Sequence, residues 1–453
     1  MASFFTDLRQ DSRFWQMLVK ISLPIVLQNL ISSSLNVVDT IMIGQLGETP
    51  LAAVGVAAQY FFFFTVIVTG LCSGYCIFIA QYWGKRDRRS IKRYLGVMLL
   101  FALLLGLIFT IFGLFQAERF ISWFDHDPEV IRLGAAYVRI LAVSTLLTAL
   151  TYSFGFASRS IENAFLPMAA SSAALALNTF LNYTLIFGHF GFSALGVEGA
   201  AIATLIARVV EMGIILIYIY HRQNTLALKW SDIDRRPAFL FGDLKTVLPV
   251  LLNELCWGLG VVVYTAAYGR IGTDALATVQ IGQTVQNLFV VLGFGISGAA
   301  AAMIGAKIGE GRTDQAVVYA QRSVFLGVCV GLVLAVVIFF CAPAFLVFFN
   351  VSPTVVHDAI IILKVLSLTI TLKMVNMIMI TGVMRGGGDV VFSLLSEGCT
   401  MWFIGVPLSF IGALVLHWPV YLVFALIALE EVAKFVLGIY RLLSNKWIHN
   451  LVN

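Results

Sequence analysis

The sequence predicts an all-α integral membrane protein with twelve transmembrane helices. These helices are expected to form two parallel six-helix bundles, related by a pseudo-two-fold axis along the membrane normal. Three observations indicate this fold: the composition, a series of apolar segments, and an internal duplication. Of the 453 residues, 60% are hydrophobic and 12% are charged, whereas soluble domains carry about 25% charged residues. The chain therefore has lipid as its main solvent.

Apolar segments long enough to cross a bilayer recur along the whole chain, with polar breaks between them. Every backbone polar group in lipid must find a partner within the protein, and the segments lack strand-like alternation, so we expect helices. The twelve predicted spans are 17–43, 51–82, 94–116, 137–158, 165–188, 196–221, 244–270, 276–306, 321–348, 360–384, 391–416 and 419–443.

The two halves of the chain match each other at an offset of 225 residues, which one residue of slip later changes to 226. Each half holds six predicted spans, an even number, so both copies keep one orientation and form parallel repeats. The matched pairs include Pro24 with Pro249, Gln28 with Asn253, Gly70 with Gly295, Gly84 with Gly309, and then Arg159 with Arg385.

Lysine and arginine residues predict the orientation of the helices. They concentrate in the predicted 2–3, 6–7 and 8–9 loops, whereas residues 44–50 and 187–199 contain none. The positive-inside rule places those basic loops and both termini in the cytoplasm, for a multi-pass protein of the plasma (inner) membrane. The predicted domains are an N-lobe of residues 1–222, a cytoplasmic linker of residues 223–243, and a C-lobe of residues 244–453.

Polar side chains inside the spans need a reason, because a charge at the centre of a bilayer costs about 2.5–3.5 kcal/mol on insertion scales. Asp39 in span 1 has no basic residue within a helical turn. We therefore expect Asp39 to face a wet cavity or to be protonated, and to have a functional role. Glu254 in span 7 is a second candidate. Asn178 and Asn182 lie four residues apart on one face of span 5 and are candidates for a polar site or for interhelical hydrogen bonds.

Other charges in the spans have partners at helical spacing. Arg208 and Glu211 lie three residues apart, and Glu430 and Glu431 lie within four residues of Lys434. This spacing predicts structural ion pairs.

Two function classes are disfavoured by the sequence. The net charge of +5 comes from scattered basic residues at helix ends, so no nucleic-acid partner is predicted. The six cysteines lie in apolar runs and are predicted to be buried hydrophobes, without a structural metal or a cofactor. The six histidines lie in loops or at the ends, which argues against an intramembrane enzyme. A sensor or receptor is a further alternative.

The chain resembles the multidrug and toxic compound extrusion (MATE) family over nearly its whole length. No single motif is specific, but their combination with a six-plus-six duplication is. The motifs are Pro24 fifteen residues before Asp39, Gly44-Gln-Leu-Gly47 followed by Leu51-Ala52, Asn178-x-x-x-Asn182, Gly199-Ala-Ala-Ile-Ala-Thr204, and Val383-Met-Arg385-Gly-Gly-Gly-Asp389.

This resemblance implies two bundles that face each other across a central cleft. It implies alternating access and the export of amphipathic, cationic drugs or toxic metabolites in exchange for H⁺ or Na⁺. The expected partners are these small molecules and the lipid bilayer, and a monomer is expected. The alternative is a flippase or exporter of lipid-linked or peptide precursors from the same superfamily.

The resemblance also implies which residues bind the coupling ion. Asp39, Asn178 and Asn182, with Thr204, match the cation or proton site of the family's N-lobe. Glu254 matches the span-7 glutamate of the branch that includes the Na⁺-coupled members. Some members have Asp where this chain has Asn182, so the choice between H⁺ and Na⁺ stays open.

Two further groups of residues are candidates for the transport cycle. Pro24 and Pro249 each free a backbone carbonyl inside a span, so they are predicted to act as conformational hinges or as static kinks. Aromatic side chains are expected to supply stacking and cation–π surface. The substrate-cavity candidates are Asn36, Gln28, Tyr60, Gln283, Trp257 and Asn376.

Overall fold

The computed structural model describes residues 12–222, 225–232, 236–346 and 351–452, and for residues 35, 230, 237 and 238 it describes the backbone alone. Residues 223, 224 and 233–235 of the predicted linker lie outside the described residues. Within the described ranges the chain is helical and forms no β-strand, apart from one isolated antiparallel bridge between Gly388 and Ile448. The all-α prediction is confirmed.

The described residues of the first half form nine α-helices, and a 3₁₀ turn at Trp230–Asp232 precedes the last of them. Their bounds are α1 Ser12–Gly44, α2 Glu48–Gly84, α3 Arg88–Phe115, α4 Ala117–Ser122, α5 Pro128–Ala142, α6 Ser144–Ser160, α7 Phe165–Phe187, α8 Gly196–Arg222 and α9 Pro237–Gly242.

In the second half, the part of the chain that the structure describes forms eight α-helices, several of which are joined by π-helical turns. The α-helices are α10 Leu244–Gly269, α11 Thr273–Gly309, α12 Thr313–Leu346, α13 Pro353–Met377, α14 Val390–Leu394, α15 Val406–Phe410, α16 Val420–Ile427 and α17 Leu429–Leu443. The π-helical turns are Ile378–Met384, Leu395–Cys399, Met401–Gly405 and Ile411–Val415. Such turns occur frequently at functional sites.

Nine helices of the described residues are long and apolar enough to cross a membrane, and the pair α5 and α6, bent by 49°, makes a tenth. The other two predicted spans correspond to α7 and to α16 with α17. The chain is thus a multi-pass membrane protein with the predicted set of twelve spans. Pro24 and Pro249 both lie inside continuous helices, α1 and α10.

The described residues form two compact units. The N-terminal unit contains Leu27–Ile79 and Asp87–Leu244. The C-terminal unit contains the described residues from Lys245 onward, together with those up to Val26 and the segment Ala80–Arg86. The start of α1 and the end of α2 therefore pack with the second half of the chain. The lobe boundaries given by the sequence stay a prediction.

In the C-terminal unit, the end of α2 and the end of α11 come into direct backbone contact. A Cβ on Gly84 would lie 1.9 Å from the carbonyl oxygen of Ala306, and a Cβ on Gly309 would lie 1.8 Å from that of Gln81. Gly84 and Gly309 are repeat counterparts, and so are Gln81 and Ala306. The contact therefore has the two-fold symmetry of the duplication, and only glycine permits so close an approach.

Candidate functional site

Asp39 lies near the end of α1, where α7 presents two amides to it. Asn182 Nδ2 donates to Asp39 Oδ1 at 2.7 Å. Because an amide orientation is assigned from its partners, Asn178 is best placed with its nitrogen 3.2 Å from Asp39 Oδ2. Its oxygen then accepts from the backbone N–H and the hydroxyl of Thr204, each at 3.2 Å. The structure thus brings Asp39, Asn178, Asn182 and Thr204 together.

The carboxylate of Asp39 is held by amides and not by a cation. Along the described stretches of the chain, no lysine or arginine pairs with it. Asn182 is 1% exposed, and its Oδ1 is buried without a hydrogen-bond donor. Two features, a carboxylate without a countercharge and an oxygen without a donor, suit a site that takes up a proton or a small cation.

Apolar residues cover the end of α1 beside this site. Ile43, Ile186 and Ala200 form a buried cluster, and Tyr137 of α5 packs against it. Tyr137 lies close enough to Asp39 for the carboxylate charge to act on its phenol. The sequence pattern did not single out Tyr137, because α5 follows a loop and its tyrosine has no fixed spacing from Asp39.

A second polar network crosses the N-terminal unit from α6 through α1 and α7 to α8. Arg159 donates to Gln28 Oε1 at 2.6 Å, and Gln28 Nε2 donates to Ser171 Oγ at 2.8 Å. Ser171 donates to Glu211, which also forms the predicted ion pair with Arg208 at 2.6 Å. The pairing of Arg208 with Glu211 is confirmed, and Gln28 proves to be the link between two helices.

The C-terminal unit has a related network with its charges at other positions. Arg385, the counterpart of Arg159, contacts Glu254 Oε1 through Nη1 at 2.5 Å, one residue beyond the counterpart of Gln28. Asn253, the counterpart of Gln28, donates to Glu397 Oε2 at 2.8 Å. At the offset of 226, Glu397 matches Ser171. A carboxylate therefore replaces the hydroxyl of the first repeat.

Further charges near this network lie on α13 and α17. Lys434 pairs with Glu430 at 2.5 Å, which confirms the predicted ion pair. Tyr264 also donates to Glu430. Asn376 donates to Glu431 Oε2 at 2.8 Å, and Lys373 donates to Gln286 at 3.0 Å. Glu254 therefore belongs to a different polar group from Asp39, and its predicted coupling role stays a prediction.

Three substrate-cavity candidates make defined contacts within their own units. Gln28 lies in the network just described. Tyr60 is 1% exposed, packs in a cluster with Phe120 and Ile121, and donates its hydroxyl to the carbonyl of Phe109, so it is a core residue of this structure. Asn376 is 2% exposed and is bound to Glu431.

The other three candidates are more open. Asn36 on α1 is exposed, and Gln283 on α11 is half-buried. Trp257 on α10 is exposed, which agrees both with a position that faces lipid and with a position that lines a water-filled cavity. Their role as cavity residues stays a prediction.

The match to a family model shows to which family this chain belongs. Two segments, residues 24–184 and 249–411, each match the MatE model. The chain belongs to the MatE family. The double match also agrees with the internal duplication, because each half of the chain matches separately. The MatE family is a family of membrane transporters and not a family of enzymes.

Relatives and solved structures cover almost the whole length of the chain. The chain is 23% identical over 432 residues to a "Probable multidrug resistance protein NorM" of Thermotoga maritima, covering 95% of this chain and 92% of the relative. It is 26% identical over 403 residues to a protein of the same description from Agrobacterium fabrum, covering 86% and 85%.

Solved structures of the family have the same fold. "Crystal structure of MATE in the bent conformation" superposes with a TM-score of 0.85 at 21% identity, over 96% of this chain and 95% of that one. "Outward-facing conformation of a multidrug resistance MATE family transporter of the MOP superfamily" gives 0.84 at 22% identity, over 95% and 96%.

Proposed function

We propose that this MatE-family protein is a secondary active exporter that moves amphipathic cationic compounds out of the cell in exchange for H⁺ or Na⁺. The observation that carries the proposal is the amide-held carboxylate of Asp39, which has no countercharge among the described residues. A carboxylate in this state binds either a coupling ion or a cationic substrate, and competition between the two is the basis of exchange.

The relatives support the class of substrate, since those from Thermotoga maritima and Agrobacterium fabrum are both described as multidrug resistance proteins. The distribution of lysine and arginine supports a plasma-membrane protein with both termini in the cytoplasm. A monomer is the proposed working form.

Transport by purified protein in liposomes tests the proposal. Vesicles are loaded so that an H⁺ gradient and a Na⁺ gradient are imposed separately, and uptake of a fluorescent organic cation is followed. We expect one gradient to drive uptake by the wild type and Asp39→Asn to abolish it. Asp274→Asn, at the exposed first turn of α11, is the matched control. Undiminished ion-driven uptake by Asp39→Asn would show that Asp39 has no coupling role. Competition of a lipid-linked precursor with the organic cation for uptake would favour the flippase alternative.

A further inference from the structure

We propose that the C-terminal unit contains a second proton-binding carboxyl group, Glu397, which as a neutral acid pairs with the amide of Asn253. The proposal rests on the exporter function proposed above for its role in transport, but the proton site itself is testable without transport.

The contact between Glu397 and Asn253 is half of an acid–amide pair. Asn253 Nδ2 donates to Glu397 Oε2 at 2.8 Å. Asn253 is 1% exposed, and its Oδ1 is buried without any donor. A carboxylic acid and a primary amide are complementary, because the amide N–H donates to one acid oxygen while the acid O–H donates to the amide oxygen. A proton on Glu397 Oε1 would supply the donor that Asn253 Oδ1 lacks.

The charges around Glu397 leave one carboxylate unneutralised. The group of interacting side chains has four acids and three cations among the described residues. Arg385 is taken by Glu254 and Lys434 by Glu430, each at 2.5 Å. The other members are Glu397, Glu431 and Lys373. One proton makes this buried group electrically neutral.

Glu397 is the acid of this group that best accommodates the proton. Glu254 contacts Arg385, and Glu430 contacts both Lys434 and the hydroxyl of Tyr264. Glu431 also accepts from an amide whose oxygen lacks a donor, that of Asn376, but it lies in the field of two cations, Lys434 and Lys373. Glu397 lies near Lys434 and Arg385 but also near the carboxylate of Glu254, and its direct hydrogen bond comes from an amide alone.

A proton fits this position better than Na⁺. Na⁺ is a hard cation that prefers several oxygen ligands, whereas sulfur groups suit softer metals. The side chains near Glu397 include the thiol of Cys256 and the cations Arg385 and Lys434. The cations would repel Na⁺, and the thiol is a poor ligand for it.

Two independent features mark the same place. Glu397 lies within the π-helical turn Leu395–Cys399, and such turns are frequent at functional sites. The pairing also resembles the one at Asp39, where Asn182 Nδ2 donates to the carboxylate and Asn182 Oδ1 is likewise buried without a donor. The C-terminal unit has a further pair of this kind, Glu431 with Asn376, whose Oδ1 is also buried without a donor, so the surrounding charges distinguish Glu397 from Glu431.

The chemistry of the step is a simple proton transfer. A proton from water binds Oε1, the carboxylate becomes neutral, and the O–H donates to Asn253 Oδ1. When the proton leaves, the carboxylate is restored. No other bond is made or broken.

Infrared difference spectroscopy of the full-length protein in liposomes, between acidic and alkaline buffer without Na⁺, tests the proton site. We expect the wild type to show a C=O band of a protonated carboxyl group that Glu397→Gln loses and that Asp274→Asn, at an exposed position outside this group, retains. Glu397→Asp, which keeps an acid, should shift the band, and Asn253→Ala should shift it because the hydrogen bond to the acid is gone. Persistence of the wild-type band in Glu397→Gln would overturn the proposal, as would a Na⁺ response, at constant pH, of the band that depends on Glu397.

Uptake measurements separate this proposal from the exporter function. If the wild type transports no cation, the exporter function fails while the infrared band still identifies the proton site. If the wild type transports with an H⁺ gradient, we expect Glu397→Gln to lose a part of the H⁺-driven uptake. Full H⁺-driven uptake by Glu397→Gln would overturn the role of Glu397 in transport.

Discussion

Arg159 donates to the side-chain oxygen of Gln28 at 2.6 Å and so joins α6 to the part of α1 that lies just after Pro24. Gln28 passes the contact on to Ser171 of α7. Arg385, the repeat counterpart of Arg159, contacts Glu254 in the second half, one residue beyond the counterpart of Gln28. In both repeats an arginine after the fourth span therefore binds the first helix a few residues beyond a proline.

Removal of the Gln28 side chain should destabilise the protein. Gln28→Ala leaves the buried guanidinium of Arg159 without its acceptor and Ser171 without its donor, which we expect to cost about 1–3 kcal/mol. Asn36→Ala, an exposed position on the same helix, should stay within about 0.5 kcal/mol of the wild type. The free energy of unfolding in detergent measures both, and equal values for the two variants would contradict the role of the network.

Loss of the Asn182 amide should impair transport more than loss of a neighbouring hydroxyl. Asn182→Leu removes the donor 2.7 Å from Asp39, so the carboxylate loses its closest partner and its affinity for a proton or cation changes. Thr179→Val is the control, because that hydroxyl bonds only to the carbonyl of Leu175 within its own helix. Ion-driven uptake that is unchanged in Asn182→Leu would show that the hydrogen bond has no part in coupling.

Replacement of Glu254 alone should lower the free energy of unfolding strongly, whereas replacement of Glu254 and Arg385 together should lower it less. Glu254→Gln leaves a buried cation unpaired, which costs about 3–5 kcal/mol, whereas a neutral, well-packed pair is often tolerated. We therefore expect the double variant Glu254→Gln with Arg385→Met to be more stable than Glu254→Gln alone. Additive effects in this double-mutant cycle would mean that the 2.5 Å contact contributes little.

Alanine at either repeat-matched glycine should be destabilising. In Gly84→Ala and Gly309→Ala the new methyl group would lie within 2 Å of a carbonyl oxygen, and overpacking costs about 1–3 kcal/mol or more. Gly55→Ala, in the same helix as Gly84 but with open space around it, should instead stabilise by about 0.5–1 kcal/mol. Thermal unfolding in detergent gives the order, and a stabilised Gly84→Ala would rule out the close backbone contact.

The loop between α2 and α3 should show a pH dependence through Asp87. Partial burial raises the pKa of Asp87, but hydrogen bonds from Ser90 and Arg89 outweigh it and hold the pKa below its usual value. Since the folded pKa is the lower one, the stabilisation is present above the unfolded pKa of about 3.9 and is lost as the pH falls through the folded pKa.

Substitution at this cap tests both the size and the pH dependence of the effect. At neutral pH, Asp87→Ala should cost about 1 kcal/mol, as other N-cap replacements do. Asp87→Asn keeps an acceptor and should retain most of the stability without the acid-dependent loss. Hydrogen exchange of the first turn of α3 reports both, and a pH dependence that persists in Asp87→Asn would assign it to another group.

The sequence allowed the elements and the N-terminal site to be predicted because their signals are local or repeated. Apolar length predicted the spans, and spacing predicted the ion pairs of Arg208 and Lys434. The site at Asp39 came from a motif on two helices. Tyr137 was missed because it lies on a different helix, α5, at no fixed spacing from Asp39, and no local pattern encodes that contact.

The polar network of the C-terminal unit was harder to predict, because the two repeats carry their charged residues at different positions. The offset of 226 pairs Ser171 with Glu397 and Thr204 with Glu430, so a hydroxyl in one half corresponds to a carboxylate in the other. Spacing within one helix does not show which carboxylate meets which cation. Only the packed helices show that Glu254 meets Arg385 while Glu397 meets an amide.

The contact at Gly84 and Gly309 limits how the two halves of the gene can diverge. Gly84 contacts Ala306, and Gly309 contacts Gln81, which is the repeat counterpart of Ala306. The contact is therefore self-complementary, as in a dimer of identical subunits. A larger side chain at one position pushes both helix ends apart and disturbs both halves of the contact at once. The two positions are therefore constrained as a pair, although the polar residues inside the two halves differ.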